Sequence, residues 1–171
     1  MPSKKIIFLP LALVLLTVIR CARADTVYLA PDEFLRQTFA ELPQPSVLWL
    51  DNATQEKLIP VLGHRYAQAR VRYWRAQGKT AWVLDEIGKE YPITAGFVVT
   101  ENHIDRAQVL IYRESRGDEI RLPAFLRQFI GVHLDGDKLS KKIDFISGAS
   151  LSVDAMQRMA SAALLLNQIA P

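Results

Sequence analysis

From Tyr66 onward the chain alternates: Ala67, Ala69, Val71 and Tyr73 are separated by Gln68, Arg70, Arg72 and Trp74. A period of two is the pattern of a strand with one face buried. Gln77-Gly78-Lys79 is a turn signal, and Thr80 to Ile87 reads as the returning strand of a hairpin. Gly88 to Pro92 breaks the chain again, after which Ile93 to Thr100 and Ile104 to Tyr112 read as two further strands around a polar turn at Glu101-Asn102-His103. The pattern predicts an antiparallel meander of about four strands.

Helical signals flank it. Pro31-Asp32-Glu33-Phe34-Leu35 opens a first helix with Phe34, Leu35, Phe39 and Leu42 on one side, and Pro43 and Pro45 end it. Ser46 to Leu50 is either a strand or a connector. Asn52 or Thr54 caps a second short helix through Leu58 towards Val61, where Pro60 and Gly63 limit it. Pro123 suits the first turn of a helix running to about Ile130, because its missing N–H costs nothing there. Gly131 to Lys142 reads as a polar loop with Asp135-Gly136-Asp137 at its tip. A last helix from Ser152 to about Ile169 buries Met156, Met159, Ala160, Ala163 and Leu164 at helical spacing. No repeat or linker divides the chain, so the expected architecture is α+β: one domain, residues 25–171, with helices packed on one side of the sheet.

Residues 1–24 read as an address label. Lys4 and Lys5 precede an apolar run from Ile6 to Ile19, and Ala22-Arg23-Ala24 supplies an Ala-x-Ala cleavage site. The expectation is a cleaved signal peptide and a periplasmic or otherwise exported mature chain. Lipidation at Cys21 and an uncleaved anchor are the rival readings, and either holds the same domain at a membrane face. Removing these residues takes four of the 21 basic side chains and none of the 18 acidic ones, so the net charge of +3 becomes −1. The basicity belongs to the signal, and no nucleic-acid partner is expected. Cys21 is the one cysteine, so a chain starting at Asp25 has no disulfide, thiolate metal site or cysteine nucleophile.

The chemistry concentrates where the last helix begins. Asp144-Phe145-Ile146-Ser147-Gly148-Ala149-Ser150 is a run of small and hydroxyl residues ahead of that helix. A helix N-terminus presents unpaired N–H groups and partial positive charge, and Gly148 and Ala149 have no bulk to hold a phosphate away. On residue chemistry alone the run is either a phosphate contact at Ser150 or a plain turn with Ser152 as N-cap.

The pattern Asp-x-x-Ser-Gly-Ala-Ser resembles the flavinylation motif of the FMN-binding domain family, which includes subunits of sodium-pumping and related membrane redox complexes. Its five defined positions arise by chance in a chain this long about once in a thousand sequences. The resemblance continues upstream: the strand ending at Tyr112 leads into Glu114-Ser115-Arg116-Gly117, similar to the family's Glu-Thr-Pro-Gly turn, and the match covers roughly residues 91–170 in order. It implies FMN joined through a phosphoester to Ser150, within a motif of Asp144, Ser147, Gly148 and Ala149. It also implies that Glu114, Ser115 and the backbone near Gly117 lie beside the flavin ring. Asp144 either holds the turn's amides or is read by the modifying enzyme. Arg116 stands where the family has proline, and Ser150 where threonine is commoner.

The implied partners are a flavin transferase and a membrane-bound redox protein, and the implied role is an electron carrier rather than a complete oxidoreductase. The alternative is a binding or assembly module of a membrane complex that keeps the fold without the flavin. A serine-hydrolase reading of Ser150 lacks a Gly-x-Ser-x-Gly elbow. His64, His103 and His133 are scattered, His133-x-Asp135-x-Asp137 reads as a solvated loop, and no metal site is expected. Trp49, Trp74 and Trp82 read as core or sheet-face aromatics.

Overall fold

Gln77 and Gly78 both adopt left-handed backbone, with φ of 53° and 73°, and so do Glu101 and Asn102 at 49° and 64°. Two consecutive positive φ values give the two-residue turn whose twist matches that of paired strands. They close two hairpins in the computed structural model, which describes residues 25–171. The expected signal peptide lies outside the described residues.

The first hairpin joins β3 (Arg70–Ala76) to β4 (Lys79–Ile87), and the second joins β5 (Pro92–Thr100) to β6 (His103–Tyr112). The four form the expected meander, but the sheet has six strands. β2 (Ser46–Trp49) pairs antiparallel with β3, and β1 (Thr26–Val27) pairs antiparallel with β6, giving the order β1-β6-β5-β4-β3-β2. The added edge strands are four and two residues long, too short for an alternation to register.

Helices cover both faces, which corrects the expectation of one. Trp82, Leu84, Ala95, Phe97 and Val109 pack with Met156, Met159, Ala160, Ala163 and Leu164 of α4 (Ser150–Ile169) in the main core. The intervening residues Ala81, Val98 and Leu110 point the other way and meet Phe34, Leu35 and Phe39 of the α1 region (helix Pro31–Thr38). Gly96 makes that second layer possible, since a Cβ there would lie 2.6 Å from the Phe34 ring. Strands β4 and β5 are therefore buried on both sides, each large side chain contributing roughly 1.5–3 kcal/mol.

Other boundaries shift for local reasons. Asp51, rather than Asn52 or Thr54, caps α2 (Asn52–Leu62) by accepting from Thr54 N–H at 2.8 Å. Leu42 lies beyond the end of α1 and is exposed. Pro123 starts a four-residue α3 (Pro123–Leu126) that tightens into a 3-10 turn at Arg127–Phe129, and another 3-10 turn at Asp118–Arg121 precedes it. The expected polar loop contains a small hairpin, β7 (Leu134–Asp135) with β8 (Lys138–Leu139). Trp82 is core, Trp74 packs against the α1 side, and Trp49 lies exposed on the sheet face with the Arg70 guanidinium 5.5 Å from its ring centroid.

Candidate functional site

α4 begins at Ser150, one half-turn earlier than the sequence suggests. Ile146 O accepts from Ala149 N–H at 3.0 Å, and Gly148 takes φ +82° to close the turn. Ala149 O then accepts the first helical bond, from Val153 N–H at 2.9 Å. The amides of Ser150, Leu151 and Ser152 precede that bond and have no helical partner, and the N-cap Ala149 has no side-chain acceptor to give them. A twenty-residue helix thus presents the positive end of its dipole uncapped.

Ser152 is not the cap. Its hydroxyl is buried and lies 2.9 Å from the Tyr112 phenol, which donates in turn to Arg116 O, so Ser152 is the donor to Tyr112. Burial pushes the Tyr112 phenol above its ordinary pKa; the Ser152 bond opposes this, and the carboxylates of Glu114, Asp118 and Glu119 reinforce it. The chain of hydroxyls ties the end of β6, the turn at 114–117 and the first turn of α4 together. Gly117, at φ +91°, sits inside this junction: a Cβ there would lie 2.9 Å from both Ser152 Oγ and the Tyr112 oxygen. Just beyond, Asp118 accepts from the Tyr28 phenol at 2.7 Å and from Arg121 Nε at 3.0 Å, and these bonds hold its carboxyl below the usual range.

A third segment completes the site. Glu114 Oε1 accepts from the backbone N–H groups of Lys89, Glu90 and Tyr91 at 2.7, 2.6 and 2.9 Å, drawing the β4–β5 turn against the 114–117 turn. Between the three segments lies an open cavity of about 360 Å³. Its walls are Lys89 and Glu90, then Glu114 to Arg116, then Gly148 to Ser152.

Of the residues singled out from sequence, the structure brings Glu114, Ser115, Gly148, Ala149 and Ser150 onto this cavity, with Gly117 buried behind it. Asp144 and Ser147 are exposed outside the lining; Asp144 N–H donates to Gln128 Oε1 at 2.8 Å. The sequence reading missed Lys89 and Glu90, whose turn carries no motif, and the structural part of Ser152, which only its burial reveals. Ser150 Oγ is exposed and takes no hydrogen bond among the described residues.

No protein-family model, no curated protein and no solved structure matches this chain. Among the described residues no helix is long and apolar enough to cross a membrane.

Proposed function

We propose that this protein is an exported flavoprotein that carries FMN through a phosphoester on Ser150 and passes electrons between a membrane redox partner and another acceptor. The observation that carries this reading is the convergence of the two motif-bearing segments, far apart in sequence, on one cavity with an unengaged serine hydroxyl at an uncapped helix N-terminus. The cavity volume falls within the range of about 300–1,000 Å³ common for small-molecule sites.

The residues fit the group chemically. In the attachment step Ser150 Oγ bonds to the FMN phosphorus of FAD, the pyrophosphate bond breaks, and AMP leaves with release of the serine proton. The transferase supplies this step, and the protein is its substrate. A phosphodiester carries one negative charge, which the uncapped N-terminus of α4 favours. Arg116 adds a cation to the walls, while Lys89 is paired with Glu90 at 3.6 Å and Glu114 is occupied by three backbone amides. Gly148 and Ala149 leave the approach to Ser150 unobstructed; space around Gly148 is open to 4 Å. Glu114 acts by shape, holding the third wall in place. When bound, the flavin supplies the redox chemistry, and the protein supplies attachment, orientation and tuning.

Three serines compete for the assignment. Ser152 is buried and bonded to Tyr112, and Ser147 lies outside the cavity lining. In-gel flavin fluorescence of denatured variants, produced with a flavin transferase, separates them: Ser150→Ala loses the signal, while Ser147→Ala and Ser152→Ala keep it. Loss in Ser147→Ala with retention in Ser150→Ala overturns the assignment.

A further inference from the structure

His103 and His133 are distant in sequence and adjacent in the fold. Ile104 N–H donates to Val132 O at 2.9 Å and Gly131 N–H to Ile104 O at 2.8 Å, so the start of β6 and segment 131–133 run side by side. The two histidines flank that short ladder, their ring centroids 5.0 Å apart and their planes inclined at 67°. Both are exposed.

Each is held by its surroundings. His103 Nδ1 lies 2.9 Å from Glu101 O, an atom that can only accept, so Nδ1 is the donor and Nε2 is the nitrogen left for a metal. A backbone carbonyl on the far nitrogen is the usual support of a metal-binding imidazole. His133 is pinned through its main chain: its N–H donates to Ser140 Oγ at 3.2 Å, and its carbonyl accepts from Ser140 N–H at 2.9 Å. Its ring nitrogens take no hydrogen bond among the described residues, so no hydrogen bond fixes the ring's rotation about Cβ–Cγ.

The spacing is that of a chelate. A bound nitrogen sits about 2.0–2.1 Å from a zinc ion, with its ring centroid about 1.2 Å further back, so two imidazoles on one tetrahedral ion have centroids about 5 Å apart. The centroid of an imidazole lies nearly on its Cβ–Cγ axis. Turning the His133 ring therefore changes where its nitrogens point while leaving the 5.0 Å separation in place.

We propose that His103 and His133 form a two-imidazole site for a divalent late transition ion, copper(II) held more tightly than nickel(II) or zinc(II). No group of three His, Cys, Asp or Glu side chains suited to a metal is found among the described residues, so water completes the coordination and the ion exchanges readily. The site lies at the β5–β6 turn, where Asn102 bonds Asn167 near the end of α4. That is the opposite end of the sheet from the cavity, which takes in the β4–β5 turn and the beginning of α4. The bound ion ties the base of the β7–β8 hairpin to β6.

Zinc(II) alone, titrated into the untagged protein against a chromophoric chelator, tests this. The expected result is one ion per chain, bound at least about tenfold more weakly by either His103→Ala or His133→Ala, because losing one arm of a chelate loses the effective concentration of the other. The double variant should bind little more weakly than either single one, and His64→Ala should bind as the parent does. Ring resonances of His103 and His133 should shift together. Losses under about twofold for each single variant, or a comparable loss in His64→Ala, mean adventitious binding by separate surface imidazoles and overturn the proposal.

Discussion

Tyr112 and Ser152 share a hydrogen bond of 2.9 Å that joins the last residue of β6 to the first turn of α4. Because the Tyr112 phenol also donates to Arg116 O, one pair of hydroxyls sets the spacing between the two segments on either side of the cavity.

Removing either hydroxyl has unequal consequences. Ser152→Ala leaves the Tyr112 bond to Arg116 intact and should cost about 1 kcal/mol. Tyr112→Phe strands a buried serine hydroxyl and frees the turn, and should cost about 1–3 kcal/mol. Urea unfolding of the two variants checks the order; a Ser152→Ala variant less stable than Tyr112→Phe contradicts it.

Two glycines with similar positive φ separate strain from space. Gly148→Ala, at φ +82° with open surroundings, should lose only the left-handed strain of about 1–2 kcal/mol. Gly117→Ala, at φ +91°, adds the clash with Ser152 and Tyr112 and should lose clearly more. Equal losses in thermal or urea unfolding mean that the junction yields and is not a fixed wall.

How far the sequence reached follows the range of its signals. The meander was legible because alternation and two-residue turns are local, and Met156 to Leu164 were legible because a helix writes its buried face at a fixed period. Two of the three cavity segments were legible through motif resemblance, Asp144 to Ser150 and Glu114 to Gly117, since on residue chemistry alone the first read also as a turn capped by Ser152. What could not be read was long-range. The face that Phe34 covers depends on Gly96, and the wall formed by Lys89 and Glu90 depends on Glu114 reaching across to their amides. The His103–His133 contact depends on a ladder between segments with no shared pattern.

Glu114 offers a graded test of that wall. Glu114→Ala removes the acceptor of three amides and should cost about 1–3 kcal/mol, whereas Glu114→Gln keeps a carbonyl oxygen and should lose less. Amide exchange at Lys89, Glu90 and Tyr91 should rise in the alanine variant. Unchanged protection there means that the turn is held by other contacts.

His64 predicts a pH dependence of stability. Its Nδ1 lies 2.8 Å from Arg65 O and its Nε2 3.0 Å from the buried Glu86 carboxylate, which Arg158 also approaches at 3.3 Å. The bond to the Arg65 carbonyl lifts its pKa first, burial works against the lift, and Glu86 adds to it while Arg158 subtracts. A folded pKa above the unfolded value gives a contribution fully present below about pH 6.5 and lost as pH rises through the folded value. The urea midpoint should therefore fall across that window, and His64→Ala should flatten the fall. The same slope in the variant assigns the effect elsewhere.

The central claim concerns one bond, and the intact mass of the mature protein, purified from an exporting host that also produces a flavin transferase, tests it most directly. The account predicts an adduct of one FMN less one water, located by peptide sequencing at Ser150. An unmodified mass beside a transferase that modifies its own control substrate, or a full adduct in Ser150→Ala, contradicts it; the former leaves the assembly-module reading in its place.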